Sequence, residues 1–131
     1  MAFTVLSNPT VTINDETIKI VPNTLGFILG YGEINVRGVA GGGGSSETVH
    51  SVNPETRMGQ VKFESFVTED LSTKIQQWKQ SIGDNVIKLT QTVNGRLVTR
   101  TFTGMSLTND PEQMATSDGS AAFEFKGDPA V

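Results

Sequence analysis

One stretch restricts the fold more than any other. From Met58 to Gly83, MGQVKFESFVTEDLSTKIQQWKQSIG, an apolar period of two gives way to a period of about 3.6. Val61 and Phe63 alternate with Gln60, Lys62 and Glu64, the pattern of a strand with one face buried. Beyond Thr68 the apolar residues Leu71, Ile75, Trp78 and Ile82 recur on one side of a helix. Thr68 suits the N-cap, and Glu69 and Asp70 suit the positive end of the helix dipole. Lys79 falls in the last turn, and Gly83 suits a left-handed stop. A lone amphipathic helix must bury its stripe against another layer, and the strand before it supplies part of a sheet.

No other segment carries a comparable helix signal, and the rest of the 131 residues reads as strands and turns, so a single mainly β domain, 1–131, with one flanking α-helix is predicted. Thr10–Ile13 and Thr17–Val21 form a hairpin around Asn14 and Asp15, ended by Pro22. Leu25–Gly32, LGFILGYG, is apolar but broken by glycines, and is expected as a buried or interface-packed connection. Glu33–Arg37 alternates with Ile34 and Val36 on one side. Val86–Val93 and Arg96–Thr103 flank Asn94-Gly95, a strong two-residue hairpin signal. That turn predicts the pairs Val93 with Arg96, Gln91 with Val98, Leu89 with Arg100 and Ile87 with Phe102. Lys88, Thr90, Thr92, Thr99, Thr101 and Thr103 then share the opposite face. Two readings of that face stay open: plain solvated β-propensity, or a polar wall lining something wet. Gly104–Leu107 adds a short strand, Thr108–Gly119 a polar loop, and Ser120–Lys126 a last strand burying Ala121, Phe123 and Phe125. Gly127–Val131 is an extended tail.

Gly38–Arg57 shows no periodicity and is expected as a long loop. Gly41, Gly42, Gly43 and Gly44 make it costly to order, at about 1–2 kcal/mol per residue. Contacts outside the domain, through Val49, Val52 and Met58, are expected to offset that cost.

The functional classes narrow by exclusion. A net charge of −4 opposes a protein that grips phosphates. No apolar run approaches the roughly 18 residues of a membrane span, and the N-terminus lacks a basic region before an apolar core, so a soluble chain without a Sec signal is expected. With no cysteine, neither disulfides nor thiolate metal sites arise. His50 is the only histidine, which rules out a multi-His site and leaves no basis for a catalytic triad. Gly41–Ser46 lacks the Lys and the following helix of a phosphate loop. Asp110, Glu112 and Asp118 have the composition of a calcium loop but not its spacing. Tyr31 and Trp78 have rings fit for stacking, yet Trp78 lies on the helix stripe. The expectation is a protein that is not an enzyme and holds no cofactor or metal.

The order of pieces resembles a known family. An N-terminal hairpin and a Gly-rich loop precede Gly59–Glu64, then Glu69–Lys79 with its QQWK segment, then a hairpin with a Thr-rich second strand, and finally Phe123–Pro129, FEFKGDP. This is similar to the tail tube proteins of tailed bacteriophages, which are related in fold to the tube protein of type VI secretion, over residues 10–129. The resemblance implies a β-sandwich curving into a partial antiparallel β-barrel with the helix on its flank. It implies homo-hexameric rings that continue one sheet between subunits and stack into the inner tail tube, the conduit for DNA ejection. Residues 38–57 would be the loop that packs on the neighbouring ring, through Gly41–Gly44, Val49 and Val52. The implied partners are further copies of the chain, tail sheath or baseplate and terminator proteins, and DNA that passes without tight binding, with no membrane. The implied place is the virion tail, after synthesis in the host cytoplasm. Two alternatives remain: a type VI secretion-like tube protein, and a monomeric carbohydrate- or peptide-binding β-sandwich.

Overall fold

A computed structural model describes residues 9–44, 46–113 and 119–131. Ser45, Asp118 and the N-terminal residues 1–8 considered above therefore lie outside the described residues, as does 114–118 of the polar loop. The chain runs β1 (Thr10–Ile13), β2 (Glu16–Ile18), β3 (Gly26–Ile28), β4 (Glu33–Ala40), β5 (Ser46–Asn53), β6 (Gly59–Phe66), α1 (Leu71–Gln80), β7 (Asn85–Val93), β8 (Arg96–Leu107) and β9 (Ser120–Gly127). Seven strands form one antiparallel sheet in the order β2-β1-β7-β8-β9-β6-β3, while β4 and β5 pair only with each other. The sheet bends at β8 so that β2-β1-β7-β8 and β8-β9-β6-β3 enclose a common core, a sandwich-like arrangement that is not closed into a barrel. One bridge, Ile20 to Ser65, ties the chain leaving β2 to the far end of β6.

The expected alternation in β6 is present: Val61, Phe63 and Ser65 are buried, and Lys62 and Phe66 are exposed. Phe63 stacks on Phe123 and Phe125 of β9 at centroid distances of 5.3 and 6.1 Å. Trp78 meets the same two rings edge-on at 5.6 and 5.9 Å and is 2 % exposed. Helix α1 thus lays Leu71 and Trp78 on the aromatic centre of the sheet, with Ile75 partly buried beside it.

Two helix expectations are corrected. Ile82 is not on the buried stripe, because α1 ends at Gln80 and the chain turns away, leaving Ile82 78 % exposed. The N-cap is Asp70, not Thr68, and its side chain caps no backbone group. Instead the Thr68 hydroxyl donates to Asp70 Oδ1 at 2.9 Å. That bond, with the nearby Lys74 ammonium, holds the exposed Asp70 carboxyl below its ordinary pKa. Gly83 does adopt φ +72°, but in the turn beyond the helix.

Asn85, which no sequence pattern singled out, is fully buried at the start of β7. Its Nδ2 donates to the carbonyls of Trp78, Ser81 and Met105 at 3.0–3.2 Å, and its Oδ1 accepts from Asn14 Nδ2 at 3.0 Å. One amide therefore fastens the C-terminal end of α1 to β8 and to the β1–β2 turn.

The Asn94-Gly95 hairpin has the predicted pairs, from Val93–Arg96 through Ile87–Phe102. Gly104–Leu107 is not a separate strand but the continuation of β8 past a one-residue shift, with Gly104 at φ +63°. The tail 127–131 does not run free. Asp128 N–H donates to Thr103 O, Val131 N–H to Thr101 O and Ala130 N–H to Leu29 O, which extends the β8 ladder and clips the chain beyond β3. A side chain at Gly59 would strike the Asp128 carbonyl and the Phe102 ring, and one at Gly104 the Asp128 carboxylate.

Residues 33–53 bring the largest correction. The predicted loop 38–57 is mostly a regular hairpin: Glu33–Ala40 pairs with Ser46–Asn53 without a register break, closed by a single turn at Gly42–Gly44. Gly43 and Gly44 take φ +72° and +84°, the left-handed conformation that such a turn requires. A short 3₁₀ turn, Pro54–Thr56, leads back to β6.

Candidate functional site

Two surfaces stand out once the elements are in place. The first is the β4–β5 arm. Its pairing puts Ile34 opposite Val52 and Val36 opposite His50 on one face, and Arg37 opposite Val49 and Val39 opposite Glu47 on the other. Every residue of the arm's strands is exposed except the half-buried Asn53. Ile34 and Val36 are 63 % and 57 % exposed. Val49 and Val52, predicted to make contacts together, lie on opposite faces. At the root, Glu33 N–H donates to Thr56 Oγ1 at 2.6 Å and the Thr56 hydroxyl donates to Asn53 O at 2.7 Å, which fixes the arm's exit from the body. A two-stranded ribbon without a covering layer is marginal alone. Ile28 and Tyr31 continue the exposed apolar surface beside the root, along a groove of about 380 Å³ that reaches Glu55 and Met58. The expected connection Leu25–Gly32 thus contains a short edge strand with its apolar side chains open rather than buried.

The second surface is the hydroxyl face. Thr90, Thr92, Thr99 and Thr101 share one side of β7 and β8, because Thr90 pairs with Thr99 and Lys88 with Thr101. The ladder extends this face further than the hairpin alone could indicate. Thr10 pairs with Thr90, Thr12 with Lys88, and Thr17 with Thr12, so the same face runs on across β1 and β2. Among these paired positions Lys88 is the single charge. Arg96 and Arg100 lie on the other face, opposite Val93 and Leu89, and the Arg100 guanidinium stacks 5.1 Å over the Phe27 ring.

Among the described residues no group of three or more His, Cys, Asp and Glu gathers to hold a metal ion. His50 stands on the arm, far along the sequence from the acidic residues Asp110 and Glu112, and Trp78 is closed off in the core. No described helix is long and apolar enough to cross a membrane.

No family model matches the sequence, and no curated protein matches it. Solved structures do. The chain superposes on a chain of the anti-feeding prophage cap, the AFP tube-terminating cap, with a TM-score of 0.64 and 11 % identity over 95 % of this chain and 86 % of that one. It superposes with the same score on a chain of the sheath–tube complex, in the extended state, of the PVC extracellular contractile injection system, at 17 % identity over 95 % and 86 %. The sheath/tube terminator of that system gives 0.63 at 16 % identity over 95 % and 91 %. At such identities the likeness is one of fold: the sandwich-like sheet with its single helix is an architecture found in contractile injection tubes and their ends.

Proposed function

We propose that the chain is a structural subunit of a tail or injection tube. Copies close into hexameric rings, rings stack, and the wall of threonines lines the bore. The observation that carries this reading is the arm. The body's core is complete without it, yet the arm holds Ile34, Val36, Val39, Val49 and Val52 open on both faces. Burying them requires surfaces from outside the subunit. A neighbouring ring would meet one face and an adjacent subunit the other. The fold's likeness to tube and tube-terminator assemblies supports the same reading.

The hydroxyl face suits a bore. Duplex DNA carries one charge per roughly 1.7 Å of its axis, and a wall rich in Lys and Arg would hold it by releasing counterions. Threonine hydroxyls with an isolated Lys88 on a subunit of net charge −4 offer no such grip. Sheath, baseplate or terminator proteins would meet the outside and the ends of the tube. A second reading, a secretion- or injection-type tube with a cargo other than DNA, is favoured by the likeness to an extracellular contractile injection system.

Negative-stain microscopy of the purified protein tests the common part: rings or tubes are expected, and a uniformly monomeric population at high concentration overturns the proposal. Assembled tubes should retain no duplex DNA at physiological salt; salt-sensitive retention would defeat the conduit. DNA recovered from inside particles of the native source would separate the phage tube from the injection tube.

A further inference from the structure

The arm leaves the body through two legs. The β3–β6 ladder ends at Ile28 opposite Gln60, and the arm's own ladder starts at Glu33 opposite Asn53. Residues 29–32 on one side and 54–58 on the other join the two ladders without pairing as strands. In the first leg Gly30 and Gly32 take φ +87° and +94°, glycine conformations at which a chain bends readily. The bonds at the root hold the legs to each other: Glu33 N–H donates to Thr56 Oγ1, and the Thr56 hydroxyl to Asn53 O. A side chain at Gly30 would strike the main chain at Met58 and Gly59, so the legs also lie against one another. None of these contacts fixes the direction of the pair relative to the body.

One segment of the body crosses the base of both legs. Gly127 of β9 pairs with Gly59 at the start of β6, and the chain then runs on over that position. A side chain at Gly59 would meet the Asp128 carbonyl. Ala130 N–H next donates to Leu29 O at 2.8 Å, on the first leg. The same residues are fastened to β8: Asp128 N–H donates to Thr103 O at 3.2 Å, and Val131 N–H to Thr101 O at 2.9 Å. Ala130 is buried while the Val131 side chain is open, so the segment is held by its main chain and one small methyl group. We infer that residues 128–131 are a crossbar that fixes the arm's direction, tying the base of both legs to β8 where the β3–β6 ladder stops. An arm aimed in advance meets a neighbouring copy without first ordering a hinge, a gain that rests on the tube reading above. The crossbar itself acts within one subunit.

Electron-spin distances in dilute, monomeric protein test the crossbar apart from the tube. The chain has no cysteine, so Thr48→Cys on the arm and Gln76→Cys on α1 place two labels without competing thiols. A single narrow distance is expected with the crossbar intact. Ala130→Pro removes the donor to Leu29 O in a full-length chain, and truncation after Gly127 removes the whole crossbar. Both should replace the narrow distance by a broad spread, the truncation more completely. Amide hydrogen exchange at 29–33 and 55–58 should quicken by about tenfold or more, while Phe63 and Phe123 in the core keep their protection. A broad distance in the unaltered protein, or a narrow one in both variants, would overturn the crossbar. So would a loss of protection in Ala130→Pro that spreads evenly to Phe63 and Phe123, because the segment would then hold the whole fold and not the arm. Failure of the unaltered protein to form rings or tubes at high concentration would defeat the tube reading alone, since the distances are read within single subunits.

Discussion

Strands β4 and β6 are each eight residues long and antiparallel to their partners, yet they treat apolar side chains in opposite ways. In β6, Val61 and Phe63 go under the helix and the sheet, and the residues between them face outward. In β4, Ile34 and Val36 look one way, Val39 the other, and all stay open. Backbone geometry does not separate the two, since both ladders are regular over their length. A second layer does. Alternation is imposed on a strand by whatever covers one of its faces, and the arm has no cover within its own subunit. Side chains of the body therefore govern whether the chain folds, and side chains of the arm govern what it meets.

Substitutions in the body should produce the largest losses. Trp78→Ala removes the ring that meets Phe123 and Phe125 edge-on and should destabilise the protein by about 3–5 kcal/mol. Lys79→Ala, on the neighbouring position of the same helix, should cost well under about 1 kcal/mol. Coincident urea midpoints for the two variants would break the distinction between core and surface. Next in size is Asn85→Ala, which strips a shared donor from three carbonyls and should cost about 1–3 kcal/mol. A fully stable Asn85→Ala protein would show that the helix is held by packing alone.

What the sequence disclosed follows the same division. Where burial imposes a period, the residues announced it: the alternation of Val61 and Phe63, the Leu71–Trp78 part of the helix stripe, and the full register around Asn94-Gly95. Where nothing in the subunit covers a face, a period need not persist. Glu33–Arg37 alternates through Ile34 and Val36, but the rest of the arm, 38–53, carries no period, and its glycines at 38 and 41–44 imitate a disordered linker. Ile82 had the right spacing for the stripe, but spacing continues along a sequence whether or not the helix does. Asn85 carries no pattern because its value depends on three carbonyls distant in the chain. The extension of the hydroxyl face through Thr10, Thr12 and Thr17 needed the β1–β7 pairing, which no local signal contains.

Arm substitutions should leave stability nearly untouched while changing association. Ile34→Ser, Val36→Ser and Val52→Ser together clear one face of the arm and should shift unfolding by no more than about 0.5 kcal/mol per site. The same bound applies to Ile82→Ser, which an uninterrupted helix stripe would make costly. Replacing Ala40–Pro54 with a short Gly-Ser linker should likewise keep unfolding cooperative, yet prevent rings from growing into tubes. Long tubes from that variant would remove the arm from the stacking contact. A large stability loss from the triple variant would show that the arm is covered within its own subunit after all.

The smallest expected effect separates the two regions by pH. Each has a threonine hydroxyl at its boundary. Among the described residues, Thr56 bonds main-chain groups at the arm's root, Glu33 N–H and Asn53 O, whereas Thr68 donates to the Asp70 carboxylate at the start of α1. The Thr68 bond favours the ionised carboxylate and keeps its pKa below the ordinary value. For a depressed carboxylate pKa, the linked stability is present above the unfolded-state value and is lost as pH falls through the folded-state value. Thr68→Ala should therefore weaken the protein slightly at neutral pH, and the gap from the unaltered protein should shrink as the solution is acidified past the Asp70 titration. An NMR titration should show the Asp70 midpoint moving upward in that variant. Thr56→Ala has no carboxylate to release, so its small cost should not change over the same acid range. If the two differences responded to pH alike, the Thr68–Asp70 contact would be contributing as an ordinary surface hydroxyl, with no charge behind it.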